Sequence, residues 1–294
     1  MRDMVERPVI VGVDGSDSSL AALDWAAQEA RLRGLPLRIV FASLWERYEK
    51  TLPSWTVERS AGTVEEQRVL GSAVERIARQ VPGLTTTPHL VPQNPVSALV
   101  EAGRTAALLV VGHRGRGELA SLLLGSVSLG VAARAPCPVI VVRGGSGGQA
   151  DNGCQVVVGI DEDSRSKAQV AFACTEAALR HGTVEAVHAW RCGGTGWPDE
   201  SGPSHSREAG HARRATTILD DAVRSAATAH PAVPLTLRPA EGGPRDILLA
   251  ASATAALLVV GAERRGNAHG LQLGLVNHAV LHHAPCPVAV VPHS

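Results

Sequence analysis

Residues Val110 to Ser128 read VVGHRGRGELASLLLGSVS, a stretch that sets four glycines and three charged side chains between a β-branched pair and a run of small and apolar residues. Gly112 and Gly115 let a ligand approach the backbone closely, or let the chain take positive φ. Gly125 and Ser126 stand where a helix would begin. The free N–H groups and positive dipole end of such a helix favour an anion, and the Ser126 and Ser128 hydroxyls are extra donors. Arg114 and Arg116 could add charge-assisted contacts. A concave nest of N–H groups joined to a helix terminus is chemistry suited to phosphate. The competing reading is a plain turn with a solvated face. No GKS or GKT follows, so the stretch is not a Walker A loop, and the dinucleotide fingerprint GxGxxG belongs at the first βα turn, which here reads VDGSDSS. GGSGG near residue 144 follows the last strand of its half, so its likeness to a pyrophosphatase-type loop is superficial.

Placing that loop requires the elements around it, and the chain supplies them twice. VIVGVDGS at 9 to 16 returns as VVVGIDED, offset by 147 at Asp14 and Asp161. AALLVVG at 106 to 112 returns verbatim at 255 to 261, and APCPVIVV at 135 to 142 returns as APCPVAVV at 284 to 291. Such self-similarity predicts two domains, 1 to 143 and 154 to 294, joined by the glycine-rich polar linker 144 to 153. A chain of 294 residues suits two domains of this size.

Within the first half, Val9 to Val13 reads as a strand buried on both faces. Ser16, Asp17 and Ser18 can cap the helix that follows, and Gly34 sits where a terminating glycine belongs. LRIVFAS is a second strand; residues 46 to 62, with Pro53, Trp55 and Gly62, look irregular. Helix 64–80, strand 85–91, helix 95–104, strand 107–111, helix 126–134 and strand 138–142 complete the half. Strands alternating with helices predict an α/β fold, a parallel sheet covered on both faces. Right-handed crossovers leave few topologies, and ligands bind outside the carboxyl ends of the strands. The loops after Asp14, Phe41 and Val111 therefore share one rim.

The spacing Gly112, two residues, Gly115, nine residues, Gly125 and Ser126 resembles the nucleotide-binding signature G-x2-G-x9-G-(S/T) of the universal stress protein family. Both halves carry the resemblance, with an acidic residue ending the first strand (Asp14, Asp161) and a closing PCPV(I/A)VV strand. The resemblance implies two tandem, open, mostly parallel five-stranded sheets of order 3-2-1-4-5, of the adenine-nucleotide α-hydrolase-like kind, with ATP in a cleft between the first and fourth strands. It puts Asp14, with Gly12 and Val13, beside ribose and adenine, and Ala42 against the base. Gly112, Arg114 and Gly115 would line the ribose and phosphate side, while Gly125, Ser126, Val127 and Ser128 hold the β- and γ-phosphates. Mg2+ would be held mainly by the nucleotide's own oxygens, with no protein cage. Asp14 also has a plainer reading, as support for the helix cap at Ser16 to Ser18.

The second half departs from the pattern. Gly261 and Gly274 remain, but Arg264 replaces Gly115, Leu275 replaces Ser126, Asn277 replaces Ser128 and Glu162 replaces Gly15. A side chain at 264 crowds the backbone's approach and Leu275 removes a hydroxyl. Arg264 could itself grip a phosphate. The expectation is a receptive first half beside a degenerate second one, where Asp161, Gly261 and Gly274 form the weaker site.

Lys plus Arg and Asp plus Glu both total 28, leaving no basic field for nucleic acid. No long apolar run predicts a membrane span and no signal-like h-region opens the chain, so a cytoplasmic protein is expected. Five cysteines without a CxxC pair read as reduced structural thiols. His278, His282 and His283 have a spacing that can bind metal, but the first half holds Leu129, Ala133 and Arg134 there, so surface or packing roles are favoured. The tryptophans read as core or interface residues. No base or nucleophile accompanies the loop apart from His113, so the leading expectation is an ATP-binding regulator of stress or dormancy acting through partner binding. An ATP hydrolase or nucleotidyl-transferring enzyme, and a structural scaffold that binds nothing, remain as alternatives. The apolar closing strands favour pairing of the halves through their edges, or a homodimer.

Overall fold

The computed structural model describes residues 7–43, 59–115, 124–143, 154–162, 166–191, 204–263 and 273–293. Residues 7–143 of these belong to one compact unit, and those from 154 onward to a second. The linker 144–153, Arg116 and Arg264 lie outside the described residues.

In the first unit, β1 (Val9–Gly12), α1 (Asp17–Arg33), β2 (Leu37–Ala42), α2 (Arg59–Gln80), β3 (Thr86–Val91), α3 (Pro95–Ala102), β4 (Leu108–Gly112), α4 (Ser126–Ala132) and β5 (Val139–Val142) follow in order. β1 pairs in parallel with β2 and β4, β2 with β3, and β4 with β5, giving the order 3-2-1-4-5. The central strands are fully apolar because both faces are covered: Val9, Ile10 and Val11 of β1 and Leu108, Leu109 and Val110 of β4 are all 0% exposed. The second unit repeats the plan with β6 (Gln155–Gly159), α5 (Lys167–Leu179), β7 (Thr183–Trp190), α6 (Ser204–Ala229), β8 (Leu235–Glu241), α7 (Pro244–Ser252), β9 (Leu257–Glu263), α8 (Leu275–His283) and β10 (Val288–His293). Parallel pairing of β6 with β7 and β9, of β7 with β8 and of β9 with β10 reproduces the same order.

Local chemistry explains the element ends. Ser16 caps α1 by accepting the Ser19 N–H, and Gly34 closes it in the left-handed region at φ 64. Asn94 accepts the N–H groups of Val96 and Ser97 at the start of α3, where Pro95 fits the first turn. Two expectations need correction. α2 begins at Arg59, inside the stretch read as irregular. A glycine within a helix costs only about 1 kcal/mol, and the buried row Val69, Leu70, Ala73 and Ile77 carries the element past Gly62. The helix expected over 95–104 closes earlier, as α3 tightens into a 3-10 turn at Gly103–Thr105.

Candidate functional site

The carboxyl ends of β1, β2 and β4 and the start of α4 surround a cavity of about 380 Å3 in the first unit. Gly12, Val13, Asp14, Ala42, Gly112, Arg114, Gly115, Gly125, Ser126, Val127 and Ser128 all line it. Residues up to 116 positions apart in sequence thus meet on one rim, where the open-sheet rule puts a ligand. Five further lining residues, Ser19, Val40, Pro95, Leu99 and Val111, had no signal in the loop pattern. Val40 could have been found from Ala42, since residues two apart on a strand face the same side. Leu99 could not, because it arrives from α3: a Cβ on Gly12 would lie 2.9 Å from the Leu99 Cδ1, so the glycine makes room for that wall.

Asp14 serves two purposes. Its Oδ1 accepts the Ser16 N–H at 3.0 Å and the Ser16 hydroxyl at 2.6 Å, bracing the cap of α1. Its Oδ2 lies 2.6 Å from where a Cβ on Gly115 would stand, so any side chain at 115 displaces the carboxylate. Gly112 is held as tightly, with the Ser18 carbonyl oxygen 2.5 Å from its missing Cβ. Gly125 donates its N–H to the His113 carbonyl at 2.7 Å and caps α4, leaving Ser126 exposed at the cavity wall.

Ser128 departs from the expected donor role. It is 4% exposed, and its hydroxyl donates to the Gly112 carbonyl. A serine hydroxyl has one proton, so what Ser128 retains for an anion is its backbone N–H. Arg114 is half-buried with an Nε that makes no hydrogen bond within the protein. Burial, and then the charges of Arg143 and Arg114, push the His113 imidazole below its ordinary pKa. Arg143 is likewise lowered by burial and by Arg114, so positive charge is concentrated at the exits of β4 and β5.

The second unit keeps the frame and changes the lining. Gly159 meets Leu248 as Gly12 meets Leu99. Asp161 is exposed, its Oδ1 accepting the neighbouring Glu162 N–H. Gly274 caps α8, and Leu275, in the place of Ser126, is 91% exposed. Asn277 is a conservative change in its effect: its Nδ2 donates to the Gly261 carbonyl at 2.8 Å, the same tie that Ser128 makes to Gly112. Over Gly261 lies the buried Gln169, whose Nε2 donates to the Gly159 carbonyl.

Groups outside the cavity have ordinary explanations. His278 stacks on His282 at 6.4 Å, the His283 ring lies tilted against His282 at 6.2 Å, and among the described residues no three metal-binding side chains converge. Trp25 is half-buried in α1, and Trp190 stacks on His211 at 5.9 Å; Trp45, Trp55 and Trp197 lie outside the described residues. Cys137, Cys174 and Cys286 are buried, and burial pushes the Cys286 thiol up to about 12. Among the described residues no helix is long and apolar enough to cross a membrane.

With this geometry in hand, comparison with known proteins is direct. The model of the universal stress protein family matches residues 6–143 and again 155–292. A universal stress protein of Mycobacterium tuberculosis is 34% identical over 298 residues, 97% of each chain. The crystal structure of a universal stress protein from Archaeoglobus fulgidus covers 98% of this chain and 99% of its own at a TM-score of 0.63, with 16% identity, a likeness of fold. A universal stress protein solved in complex with cAMP is 34% identical across 47% of this chain, at a TM-score of 0.37.

Proposed function

Because the chain belongs to the universal stress protein family through both of its halves, we propose that it is an ATP-binding regulator whose nucleotide sits in the cleft of the first unit. The observation that carries this reading is the cavity of about 380 Å3, whose apolar lining (Val40, Ala42, Leu99) suits a base, whose Asp14 suits ribose hydroxyls and whose Arg114 and Ser126 suit a polyphosphate. Gly12, Val13 and Asp14 face the nucleoside, and Gly112, Gly115, Gly125 and the start of α4 receive the phosphates. Mg2+ would bind the nucleotide's oxygens together with water, since among the described residues Asp14 is the one carboxylate on the cavity wall. Occupancy alters a surface that a protein partner reads. Hydrolysis is not part of the proposal: His113 is spent on Ser18, and Asp14 on the cap of α1. The test is to identify nucleotide in the purified protein by mass spectrometry and titrate ATP by calorimetry. One adenine nucleotide per chain is the expected result; a chain that neither carries nor binds one defeats the reading. Light scattering with and without ATP decides whether the partner is a second copy.

A further inference from the structure

The loop leaving β4 is tied down by a residue that does not line the cleft. Ser18, in the first turn of α1, brings its Oγ within 2.9 Å of the His113 Nδ1 and accepts the Arg114 N–H at 3.1 Å. It reaches the loop only because residue 112 lacks a side chain: a Cβ there would lie 2.5 Å from the same Oγ. From the other side, Gly125 donates to the His113 carbonyl and Ser128 to that of Gly112. His113 and Arg114 are thereby fixed between α1 and α4, while the buried Arg114 Nε keeps hydrogen-bonding capacity unused inside the protein.

We propose that Ser18 is a positioning residue of the cleft: together with the His113 Nδ1 it holds the 113–115 backbone in the shape that aims Arg114 at the anionic part of the ligand. This rests on the nucleotide reading above. In the proposed clasp the Arg114 N–H donates to the Ser18 Oγ, the Ser18 hydroxyl donates to Nδ1, and the ring carries its own proton on Nε2. This order uses the neutral ring, which burial beside two arginines favours. The second unit separates this clasp from simple packing. Gly261 is retained there, yet Ala262 and Glu263 stand where His113 and Arg114 do, and Gln169 covers the glycine instead. A glycine at this strand exit therefore persists without the clasp, whereas the clasp occurs beside the arginine.

Because the clasp acts through Arg114, its loss should fall on phosphates and spare the nucleoside. The experiment measures ATP and adenosine affinities by calorimetry, with melting temperatures, on the full chain and on Ser18→Ala, His113→Ala and the double variant. Removing one such hydrogen bond is expected to weaken ATP about tenfold, leave adenosine within about twofold, and make the double variant no worse than the more affected single one. His113→Asn, which offers an acceptor near the Nδ1 position, should recover most of the ATP affinity. Unchanged ATP binding in Ser18→Ala overturns the clasp, and so does an equal loss for both ligands, the mark of a merely structural role. A wild-type chain that binds neither ligand overturns the nucleotide reading itself, and the clasp with it.

Discussion

Gly115 is exposed, yet the space where its side chain would begin belongs to the Asp14 carboxylate, 2.6 Å away. Replacing it with arginine, as residue 264 does in the second half, drives Asp14 off its position without disturbing a buried core. Gly115→Arg is therefore expected to lower ATP affinity by at least about tenfold while shifting the melting temperature by no more than about 2 °C, measured by calorimetry on the same samples. His113 yields a prediction in pH. Its folded-state pKa lies below the ordinary 6.5 through burial, Arg143 and Arg114, so the unfolded chain takes up a proton that the folded chain resists. Stability contributed by the neutral ring is full above about 6.5, falls as pH drops through that value, and levels off below the folded pKa. His89, lowered by burial and by Arg38, acts in the same direction. Urea midpoints between about pH 7.5 and 5.5 should thus decline toward acid, less steeply in His113→Asn.

At the scale of elements, the cleft depends on how α1 is seated, because its first turn supplies Ser16, Ser18 and Ser19. Part of that seating is a bidentate pair between α1 and α2: Arg76 Nε and Nη2 each lie 2.6 Å from an Asp24 oxygen. Both side chains remain partly exposed, at 37% and 28%, so solvent screens the pair. Its coupling energy should be about 0.5–1 kcal/mol, a favourable geometry for a surface pair. A double-mutant cycle with Arg76→Ala and Asp24→Ala in urea checks it, and ATP affinity should change less than about twofold, since neither residue lines the cavity. The early start of α2 at Arg59 makes a related point. Turn-forming residues mark where a helix is costly, but a long buried face elsewhere in the helix outweighs one glycine.

Over the whole molecule, the chain contains one fold twice and, among the described residues, one cavity lined by the complete set of signature positions. The second unit exposes Asp161, presents Leu275 to solvent and covers Gly261 with Gln169. Asp161→Asn is accordingly expected to change ATP affinity less than about twofold with stoichiometry staying at one, whereas Asp14→Asn should weaken it several-fold through the ribose side and the cap of α1. Titrations of the two variants side by side make the comparison.

The internal repeat and the strand and helix alternation already determine an α/β fold repeated in tandem, and the family resemblance carried by the glycine spacing adds its strand order and eleven of the sixteen residues that line the cavity. These are legible because periodicity and backbone requirements are local, and a glycine needed at a strand exit leaves its mark at that position. Three things were decided only in three dimensions. Leu99 and Pro95 wall the cleft from α3, and nothing near Gly12 announces them. Ser128 spends its hydroxyl on Gly112, which turns Asn277 from a lost donor into a preserved tie. Ser18 meets His113 across 95 residues. Each brings together groups distant in sequence, and a single chain records the members of such a pair but not which of them the fold brings together.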